Sequence, residues 1–342
     1  MLKATMKYSA VSAKVMALYG KMLTEDDWRH LCGCASVTDI TSFLRNNKDW
    51  IETVSGLPAS PSVPKLQTAV LKKVYTEYER LFKFSYLEDK KYLIFTLYRA
   101  EYGYILETLR RLQSKENPVK TIEMTDFMRK HSLVDIGALE SCADFQGLME
   151  AVSGSIYEQT LKRLPINQET GFPSYRDAEI FFKSQFYKTV FSFAKNDYKG
   201  LGKQKLINFL GTEADLLNIV SILRLQRYFP GSLNKANEML IPIYNQLEPK
   251  IVNALVEANN ENEALNILRK SSCRKYLEGL DLQKLENLHN DSMEAFCRKI
   301  IKSPDPSICV SVAYLILREL ECKKLNRLIE AVDYGVDPKE VL

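Results

Sequence analysis

The sequence predicts an all-α protein made of three similar helical-bundle units, arranged about a pseudo-threefold axis or in an arc. The chain has 342 residues but only 14 glycines and 12 prolines, and this scarcity of turn-forming residues favours long helices joined by few connections. Apolar residues recur three and four positions apart, which is the spacing of a buried helix face. One such pattern occurs three times along the chain, and a repeat of this kind sets the architecture.

The repeated pattern is an acidic residue followed by apolar residues at helical spacing. Residues 101–110 align with residues 215–224 without a gap, and both segments begin with an acid and end with an arginine. A third, weaker copy covers residues 321–330 and ends with a glutamate. The apolar positions are Tyr102, Ile105, Leu106 and Leu109 in the first copy and Leu216, Ile219, Val220 and Leu223 in the second. We therefore expect equivalent helices, each with one buried face.

A second pattern, which we call the marker, lies upstream of each acid. It has four apolar positions, and its first two gaps are nine and four residues in every copy. The markers are Leu31, Ile40, Leu44, Trp50; then Leu139, Leu148, Val152, Tyr157; then Leu255, Ala264, Leu268, Tyr276. Another helical stretch lies between marker and acid, and it is clearest at residues 178–193. Each marker and the acid downstream of it are therefore expected to form one helical bundle.

Turn-forming residues divide the chain in agreement with this repeat. Asn117-Pro118 and Pro230-Gly231 fall between the copies, which predicts units at 1–116, 117–230 and 231–342. Within the first two units, loops are expected at residues 56–64, which hold three prolines, and at 164–173. No hairpin signal or strand-like alternation competes with the helical pattern.

The composition is that of a soluble, folded protein. Hydrophobic residues make up 46% and charged residues 26% of the chain, which excludes a disordered tail, a coiled-coil rod and a disulfide-stabilised miniprotein. The net charge of +4 is too small to indicate a nucleic-acid partner or a polybasic membrane-binding surface. The seven cysteines are expected to be reduced thiols in a cytosolic protein, because only Cys32 and Cys34 lie close together.

No targeting segment or membrane span is expected. Ser12 and Lys14 interrupt the apolar residues near the amino terminus, so the core of a secretion signal is missing. The longest nearly uncharged apolar stretch runs from Ser307 to Leu317 and has 11 residues. A membrane-spanning helix needs about 18 or more.

The sequence holds none of the common motifs for catalysis, cofactor binding or metal binding. His30, His131 and His289 are far apart, and none belongs to a metal-binding pattern. The run from Lys199 to Lys203 lacks the GxxxxGK spacing of a phosphate-binding loop, so we interpret it as a helix-ending turn. We therefore predict that the protein is not an enzyme and has no catalytic residue, cofactor or metal.

The repeated charged and polar positions are the candidate functional residues, with a structural or interface role. They are Glu101, Arg110, Asp215, Asn218, Arg224 and Glu321. Asp215 and Arg224 are nine residues apart and point to opposite sides of a helix, so a partner of Asp215 must come from another helix or another protein.

A structural interpretation competes at the second copy. Thr212 and Asp215 fit a capping-box-like start of a helix, where a negative first turn is favoured. The third copy diverges at Lys324 and Glu330, so its residues are assigned no individual role.

Four segments together resemble the C subunit of bacterial and archaeal V/A-type ATPases, a relative of the d subunit of eukaryotic vacuolar ATPases. They are residues 8–14 (Tyr-Ser-Ala-Val-Ser-Ala-Lys), the marker of residues 31–50, residues 215–224 and residues 310–321. Their order and spacing extend the resemblance over the whole chain, although Lys14 stands where the family often has arginine.

The resemblance implies an all-helical, funnel-like protein of three similar units. It implies a non-catalytic rotor subunit of the central stalk, whose partners are the central-shaft subunits and the cytoplasmic face of the membrane rotor ring. Such a protein is cytoplasmic, peripheral to the membrane, and passes torque between ATP hydrolysis or synthesis and H+ or Na+ transport.

Two other classes of protein fit the same sequence. One is a free-standing helical-repeat scaffold that binds a protein in its concavity. The other is an enzyme with an unrecognised site, which requires a pocket with convergent titratable groups.

Overall fold

A computed structural model describes residues 2–114, 125–229, 236–278, 285–303 and 307–341. Within these ranges the regular structure is helical, and the β-type pairing is limited to an isolated bridge between Ile166 and Pro173. The predicted all-α class is therefore confirmed. The pseudo-threefold, funnel-like arrangement of three units stays a prediction.

Long helices alternate with groups of short ones. The helices are α1 (Leu2–Tyr19), α2 (Glu25–Cys32), α3 (Val37–Asn46), α4 (Ile51–Val54), α5 (Val63–Phe84), α6 (Leu87–Ser114), α7 (Asp126–His131), α8 (Ile136–Ser141), α9 (Phe145–Ala151), α10 (Ile156–Lys162), α11 (Tyr175–Asp197), α12 (Gly200–Tyr228), α13 (Ala236–Met239), α14 (Pro249–Glu257), α15 (Glu261–Lys270), α16 (Leu285–Ile301), α17 (Ile308–Tyr334) and α18 (Pro338–Val341). A 3₁₀ turn covers Ser272–Tyr276. The predicted loops at 56–64 and 164–173 lie largely between α4 and α5 and between α10 and α11.

The described residues fall into two compact units. The first is drawn from residues 1–87, 119–130 and 297–342, and the second from residues 88–118 and 131–296. The boundaries predicted at Asn117-Pro118 and Pro230-Gly231 lie outside the described residues. The division at 1–116, 117–230 and 231–342 therefore stays a prediction about the repeat.

Helices α5 and α17 form the centre of the first unit, and α1 lies against both. Ser307 is the N-cap of helix α17, and its hydroxyl accepts a hydrogen bond from the Cys309 N–H. Gly335, which has a φ of 68°, is the C-cap. Glycine suits this left-handed position because it has no side chain to clash with the backbone.

Each marker contains a helix with a polar N-cap at the same relative position. Side-chain oxygens of Ser36, Asp144 and Asn260 accept hydrogen bonds from the backbone N–H three residues later, at the starts of α3, α9 and α15. The second marker residue follows each cap by four positions and is buried. The cap fixes where the helix begins, which explains why the spacing recurs in all three copies.

The markers pack on acid-bearing helices in an order that the sequence analysis did not predict. The first marker shares a core with Cys322, Leu325, Leu328 and Ile329 of α17. The third shares a core with Ile219, Val220 and Leu223 of α12. The expectation that a marker packs with the acid downstream of it is therefore wrong for these two copies. The third marker packs on the acid helix that precedes it, and the first packs on the last acid helix of the chain.

Helix α12 is the one described helix that is long and apolar enough to cross a membrane by length and composition. Within its most apolar 18-residue window, 78% of the residues are buried inside the protein. The window is enclosed by other parts of the chain, as a core helix is.

Two local interpretations of the α12 sequence are corrected. Helix α11 ends at Asp197 and α12 begins at Gly200, so most of the run from Lys199 to Lys203 starts a helix. Thr212 and Asp215 lie in the interior of α12. They are not a capping box, because the helix continues through them from Gly200.

Candidate functional site: three buried carboxylates on equivalent helices

The three repeated acids lie in the interiors of the long helices α6, α12 and α17, and all are buried. In the first copy, Glu101 Oε1 accepts a hydrogen bond from the Leu133 backbone N–H at 2.8 Å. Its Oε2 accepts one from the Tyr157 hydroxyl at 2.7 Å. Leu133 precedes α8, the first helix of the second marker, and Tyr157 is the last residue of that marker. Glu101 therefore joins α6 to the turn before the second marker and to the last residue of that marker.

Asp215 occupies the same position in the second copy and makes more hydrogen bonds. Its Oδ1 accepts the Asn245 N–H at 3.0 Å, and its Oδ2 accepts the N–H groups of Gln246 and Leu247 at 2.7 and 3.2 Å. The Tyr276 hydroxyl also donates to Oδ2, at 3.3 Å. Asp215 thus accepts hydrogen bonds from three successive backbone N–H groups in the turn before α14. Without the carboxylate, these N–H groups would lose contact with water on folding and gain no hydrogen-bond partner.

Glu321 repeats the backbone contact with a different second partner. Its Oε1 accepts the Leu23 N–H at 2.7 Å, in the turn before α2. Its Oε2 accepts a hydrogen bond from the guanidinium of Arg318, one turn earlier on α17. The last acid helix of the chain is therefore tied to the turn before the first marker. Trp50 stands at the marker position where the other copies have tyrosine.

Arg318 is the centre of a buried charge cluster, defined here as Asp49, Lys73, Glu77, Arg318 and Glu321. Its guanidinium lies 2.8 Å from Asp49 Oδ2 and 2.9 Å from Glu77 Oε2. Lys73 Nζ lies 3.3 Å from a carboxylate oxygen of both acids. All five side chains are at most 5% exposed. Two cations are therefore paired with three carboxylates away from water, which leaves a formal charge of −1 in the cluster, and this close pairing is what buried charges need in order to persist in a core.

Burial sets the protonation behaviour of the three repeated acids. Loss of water raises the pKa values of Glu101, Asp215 and Glu321 above their ordinary values, because the charged form is disfavoured. The hydrogen bonds that each carboxylate accepts oppose this rise. Burial beside Glu101 also raises the pKa of Tyr157, so its hydroxyl keeps the proton that it donates.

The remaining predicted residues separate into buried and exposed groups. Asn218 is buried, and its amide exchanges two hydrogen bonds with the backbone of Ile241, at 2.8 and 2.9 Å. Arg110 is exposed and pairs with Glu107 on its own helix. Arg224 is exposed on α12, on a different side from Asp215, as the spacing predicted.

The divergent third-copy residues also contact defined partners. Lys324 lies over the ring of Trp28, with its Nζ 4.4 Å from the ring centroid. Glu330 accepts a hydrogen bond from the Gln67 side chain at 2.7 Å. Lys324 therefore contributes a cation–π contact between α17 and α2.

Sequence reasoning missed the charge cluster, although a signal for it exists. Leu66, Val70, Lys73, Glu77 and Leu81 recur at helical spacing and so share one face of α5. Two charges of opposite sign inside an apolar stripe indicate a buried ion pair. The tyrosines were found as marker positions, but their hydroxyl contacts with the acids were not predicted.

The arrangement around these acids is suited to holding helices together. The carboxylate oxygens are occupied by backbone, hydroxyl or guanidinium donors. Among the described residues, no group of three or more histidine, cysteine, aspartate or glutamate side chains is placed to hold a metal ion. The repeated acids therefore act as fixed acceptors that dock the turn preceding a marker helix onto a long helix.

Comparison with known proteins decides the family. Residues 11–342 match the family described as ATP synthase (C/AC39) subunit. The chain belongs to this family. The resemblance stated from the sequence segments is thereby confirmed, and the C/AC39 match extends through all three copies of the repeat.

Archaeal relatives of this C/AC39 chain are named as the C subunit of A-type ATP synthase. The protein of Thermococcus kodakarensis is 20% identical over 343 residues, and that of Desulfurococcus sp. strain SY is 22% identical over 350 residues. The protein of Pyrococcus abyssi is 21% identical over 342 residues. Each alignment covers 98% of this chain and 89% of the relative.

The tyrosine hydroxyls give a matched pair of predictions in this C/AC39 chain. Tyr157→Phe should lower the free energy of unfolding of the second compact unit by about 1.5 to 3 kcal/mol, because a buried carboxylate loses a close donor. Tyr276→Phe should lower the free energy of unfolding by a smaller amount. The Tyr276 hydroxyl lies 3.3 Å from Asp215, whereas the Tyr157 hydroxyl lies 2.7 Å from Glu101. Urea denaturation followed by far-ultraviolet circular dichroism measures both. A larger loss for Tyr276→Phe would contradict the proposed ranking.

The raised pKa of Glu101 predicts how its contribution changes with pH. The folded protein holds this proton more tightly than the unfolded chain, where the pKa is near its ordinary value of 4.5. The stability of the unmodified protein relative to Glu101→Gln should therefore be highest below that value. It should fall as pH rises from there through the raised folded pKa, and then become constant.

Glu263→Gln is the control of opposite sign. Hydrogen bonds from Asn259 lower the pKa of the exposed Glu263, so the unmodified protein should gain stability relative to this variant as pH rises through the same acid range. Unfolding free energies of both variants, measured from pH 3 to 7 in roughly unit steps, give the two slopes. Slopes of equal sign would contradict the assignment of Glu101 as a buried, proton-holding acid.

Proposed function

We propose that this chain is a non-catalytic rotor subunit in the central stalk of a V/A-type, ion-translocating ATPase. In this role it links the central shaft to the membrane ring and passes torque between ATP hydrolysis or synthesis and H+ or Na+ transport. The observation that carries the proposal is the family match over residues 11–342. The relatives, named as the C subunit of A-type ATP synthase, point to the same complex.

The structure supports a mechanical role. Torque must pass through a part that does not deform, and close-packed helical cores resist deformation. Helices α6, α12 and α17 are 28, 29 and 27 residues long. A buried carboxylate on each of them holds the turn in front of a marker helix. Such contacts keep short helices from shifting along long ones under load.

The proposed partners are the shaft subunits and the cytoplasmic face of the rotor ring. The proposed location is therefore cytoplasmic, at the periphery of the membrane. ATP hydrolysis and ion conduction are assigned to other subunits of the complex.

Affinity purification from native membranes tests the assignment. A tagged chain should co-purify with shaft, nucleotide-binding and ring subunits from detergent-solubilised membranes of its host, and the eluate should hydrolyse ATP. The purified chain alone should not hydrolyse ATP. Recovery of the tagged chain without any of these subunits would contradict the proposal and favour the scaffold alternative.

A second measurement tests torque transfer. Membranes from cells that lack the chain should hydrolyse ATP without building an ion gradient, and adding the purified chain back should restore ion transport. Ion transport at the normal rate in its absence would show that the chain does not couple the two processes.

A further inference from the structure

Two thiols flank a glycine at the end of α2, in the sequence Cys32-Gly33-Cys34. Both are partly exposed, whereas the other five cysteines of the chain are buried. An open cleft of about 760 Å³ borders Gly33 and Cys34, and this volume lies in the range of sites that accept small molecules. Cys32 and Cys34 are therefore the cysteines that a dissolved thiol reagent reaches most readily.

The backbone places the two thiols within the span of a disulfide. Gly33 is the C-cap of α2, with φ −90° and ψ −3°, so the turn is still close to helical. In a helix, Cα atoms two residues apart are separated by about 5.4 Å, which lies within the range of about 4.4 to 6.8 Å that disulfides span. Both side chains also pack against the same hydrophobic core. A bond between them therefore needs a rearrangement of this turn and no movement of whole helices.

The reduced turn is closed by hydrogen bonds that end α2. The Gly33 N–H donates to the His30 carbonyl at 2.9 Å, and the Cys34 N–H donates to the Leu31 carbonyl at 3.1 Å. The Cys34 thiol also donates to the His30 carbonyl, with its sulfur 3.7 Å from the oxygen. A disulfide removes this S–H donor and draws Cys32 and Cys34 together across Gly33. The oxidised turn therefore cannot keep all three hydrogen bonds.

The end of α2 is connected to the contact between the first marker and α17. Helix α2 has eight residues and places Trp28 and Leu31 in the core that the first marker shares with α17. Leu31 is also the first residue of that marker, and Lys324 of α17 lies over the ring of Trp28. A helix this short depends on its packing and its caps for stability. A change at its C-cap therefore loosens its contact with α17.

We propose that Cys32 and Cys34 are a reversible redox site, which a small-molecule disulfide such as glutathione disulfide oxidises, and that the oxidised form loosens the first marker on α17. The Cys32 thiolate attacks one sulfur of the oxidant, forms a mixed disulfide and releases one thiolate. The Cys34 thiolate then attacks the Cys32 sulfur and releases the second. The protein loses two protons and two electrons, and the oxidant takes them up to become two thiols. This chemistry does not depend on the proposed function.

The turn favours a labile disulfide with a slow closing step. Strained or exposed disulfides have higher reduction potentials and exchange more readily than structural ones. Burial raises the pKa of the Cys34 thiol, and the charge of Asp39 adds to this rise. Since the thiolate is the attacking form, closure of the bond should become faster as pH rises toward that pKa.

Oxidation of the purified full chain tests the site. After treatment with glutathione disulfide and alkylation of the remaining thiols, mass spectrometry should show that the peptide with both cysteines has lost two hydrogen atoms and carries no alkyl group. Urea denaturation followed by tryptophan fluorescence reports on the first compact unit, which holds both tryptophans. The oxidised chain should have an earlier midpoint than the reduced chain, and dithiothreitol should restore the reduced midpoint.

Two variants serve as controls. Cys34→Ser cannot close the bond, so glutathione disulfide should leave it as a mixed disulfide at Cys32. Cys32→Ser with Cys34→Ser keeps the five buried cysteines, and the oxidant should leave its midpoint unchanged.

The results that overturn the proposal are distinct from those that support it. Alkylation of both cysteines after oxidation would show that the pair does not form a disulfide. Equal midpoints for the oxidised and reduced chain would show that the disulfide does not act on the first marker. The same shift in the double variant would assign the effect to the buried cysteines instead.

Membranes that lack the chain extend the test to the assembled complex. When purified chain is added back, the oxidised form should restore less ion transport than the reduced form. The double variant should restore the same transport with or without prior treatment by glutathione disulfide. Equal transport with oxidised and reduced chain would show that the site does not act in the complex. If the chain restores no transport in either form, the proposed function fails, while the denaturation measurement still decides the redox site.

Discussion

Replacement of Arg318 by methionine should lower the free energy of unfolding of the first compact unit by about 3 to 5 kcal/mol. Arg318 is fully buried and contacts Asp49, Glu77 and Glu321. Methionine fills a similar volume but leaves three buried carboxylates with Lys73 as their one remaining cation in the cluster. Removing one partner of a buried ion pair is costly because the other charge stays in the core without compensation.

Tryptophan fluorescence reports this change selectively. The chain has two tryptophans, Trp28 and Trp50, and both lie in the first compact unit. Trp50 also lies against Arg318, with the guanidinium carbon 5.9 Å from the ring centroid. Urea denaturation followed by this signal should show an earlier midpoint for Arg318→Met.

Two further variants test whether the loss of stability comes from buried charge. Arg29→Met removes an ion pair with Asp26 whose side chains are 79% and 81% exposed, and it should leave the midpoint unchanged within error. Adding Glu321→Gln to Arg318→Met should recover part of the loss, since Arg318 is the cation of the cluster that contacts Glu321. A midpoint for Arg318→Met equal to that of Arg29→Met would contradict the cluster.

The helical class and the buried faces were predictable because they depend on local spacing. Leu106 and Leu223 are buried at their repeated positions, as the three- and four-residue spacing predicted. The nine- and four-residue gaps of the marker were recognised as a repeat. The N-cap residues Ser36, Asp144 and Asn260, which fix where each marker helix begins, are also polar residues at one repeated position of the sequence.

The partners of the acids were not predictable from spacing alone. Contacts between residues far apart in the chain depend on which helices become neighbours, and local periodicity does not carry that information. Glu321 and Leu23 are 298 residues apart. The capping interpretation of Thr212 was wrong for a related reason, because α12 continues through a motif that in isolation favours a helix start.

The third copy shows one interaction replaced by another with the same mechanical effect. Glu101 and Asp215 use a tyrosine hydroxyl as their second partner, whereas Glu321 uses Arg318, and Trp50 takes the tyrosine position. The backbone contact is kept in all three copies. The carboxylate is thus the constant element of the repeat, and the side-chain partner varies with the surrounding charges.

Replacement of Asp215 by alanine should lower the free energy of unfolding of the second compact unit by about 3 kcal/mol or more. The carboxylate accepts the N–H groups of Asn245, Gln246 and Leu247, and alanine offers none of them an acceptor. A buried donor without a partner costs about 1 to 3 kcal/mol, and water can reach part of this turn. Asp215→Asn keeps one acceptor oxygen but brings an N–H₂ group toward backbone donors. The free energy of unfolding should therefore fall less for Asp215→Asn than for Asp215→Ala.

Arg224→Ala is the matched control on the same helix. Arg224 is also a repeated position, but it is exposed, and alanine is a good helix former. Circular dichroism should therefore show an earlier urea midpoint for Asp215→Ala and an unchanged one for Arg224→Ala. Hydrogen exchange of the Asn245, Gln246 and Leu247 amides should accelerate in Asp215→Ala alone. Unchanged exchange at these three amides would mean that the turn is held by its other contacts, and that the repeated acid is not what docks α14 onto α12.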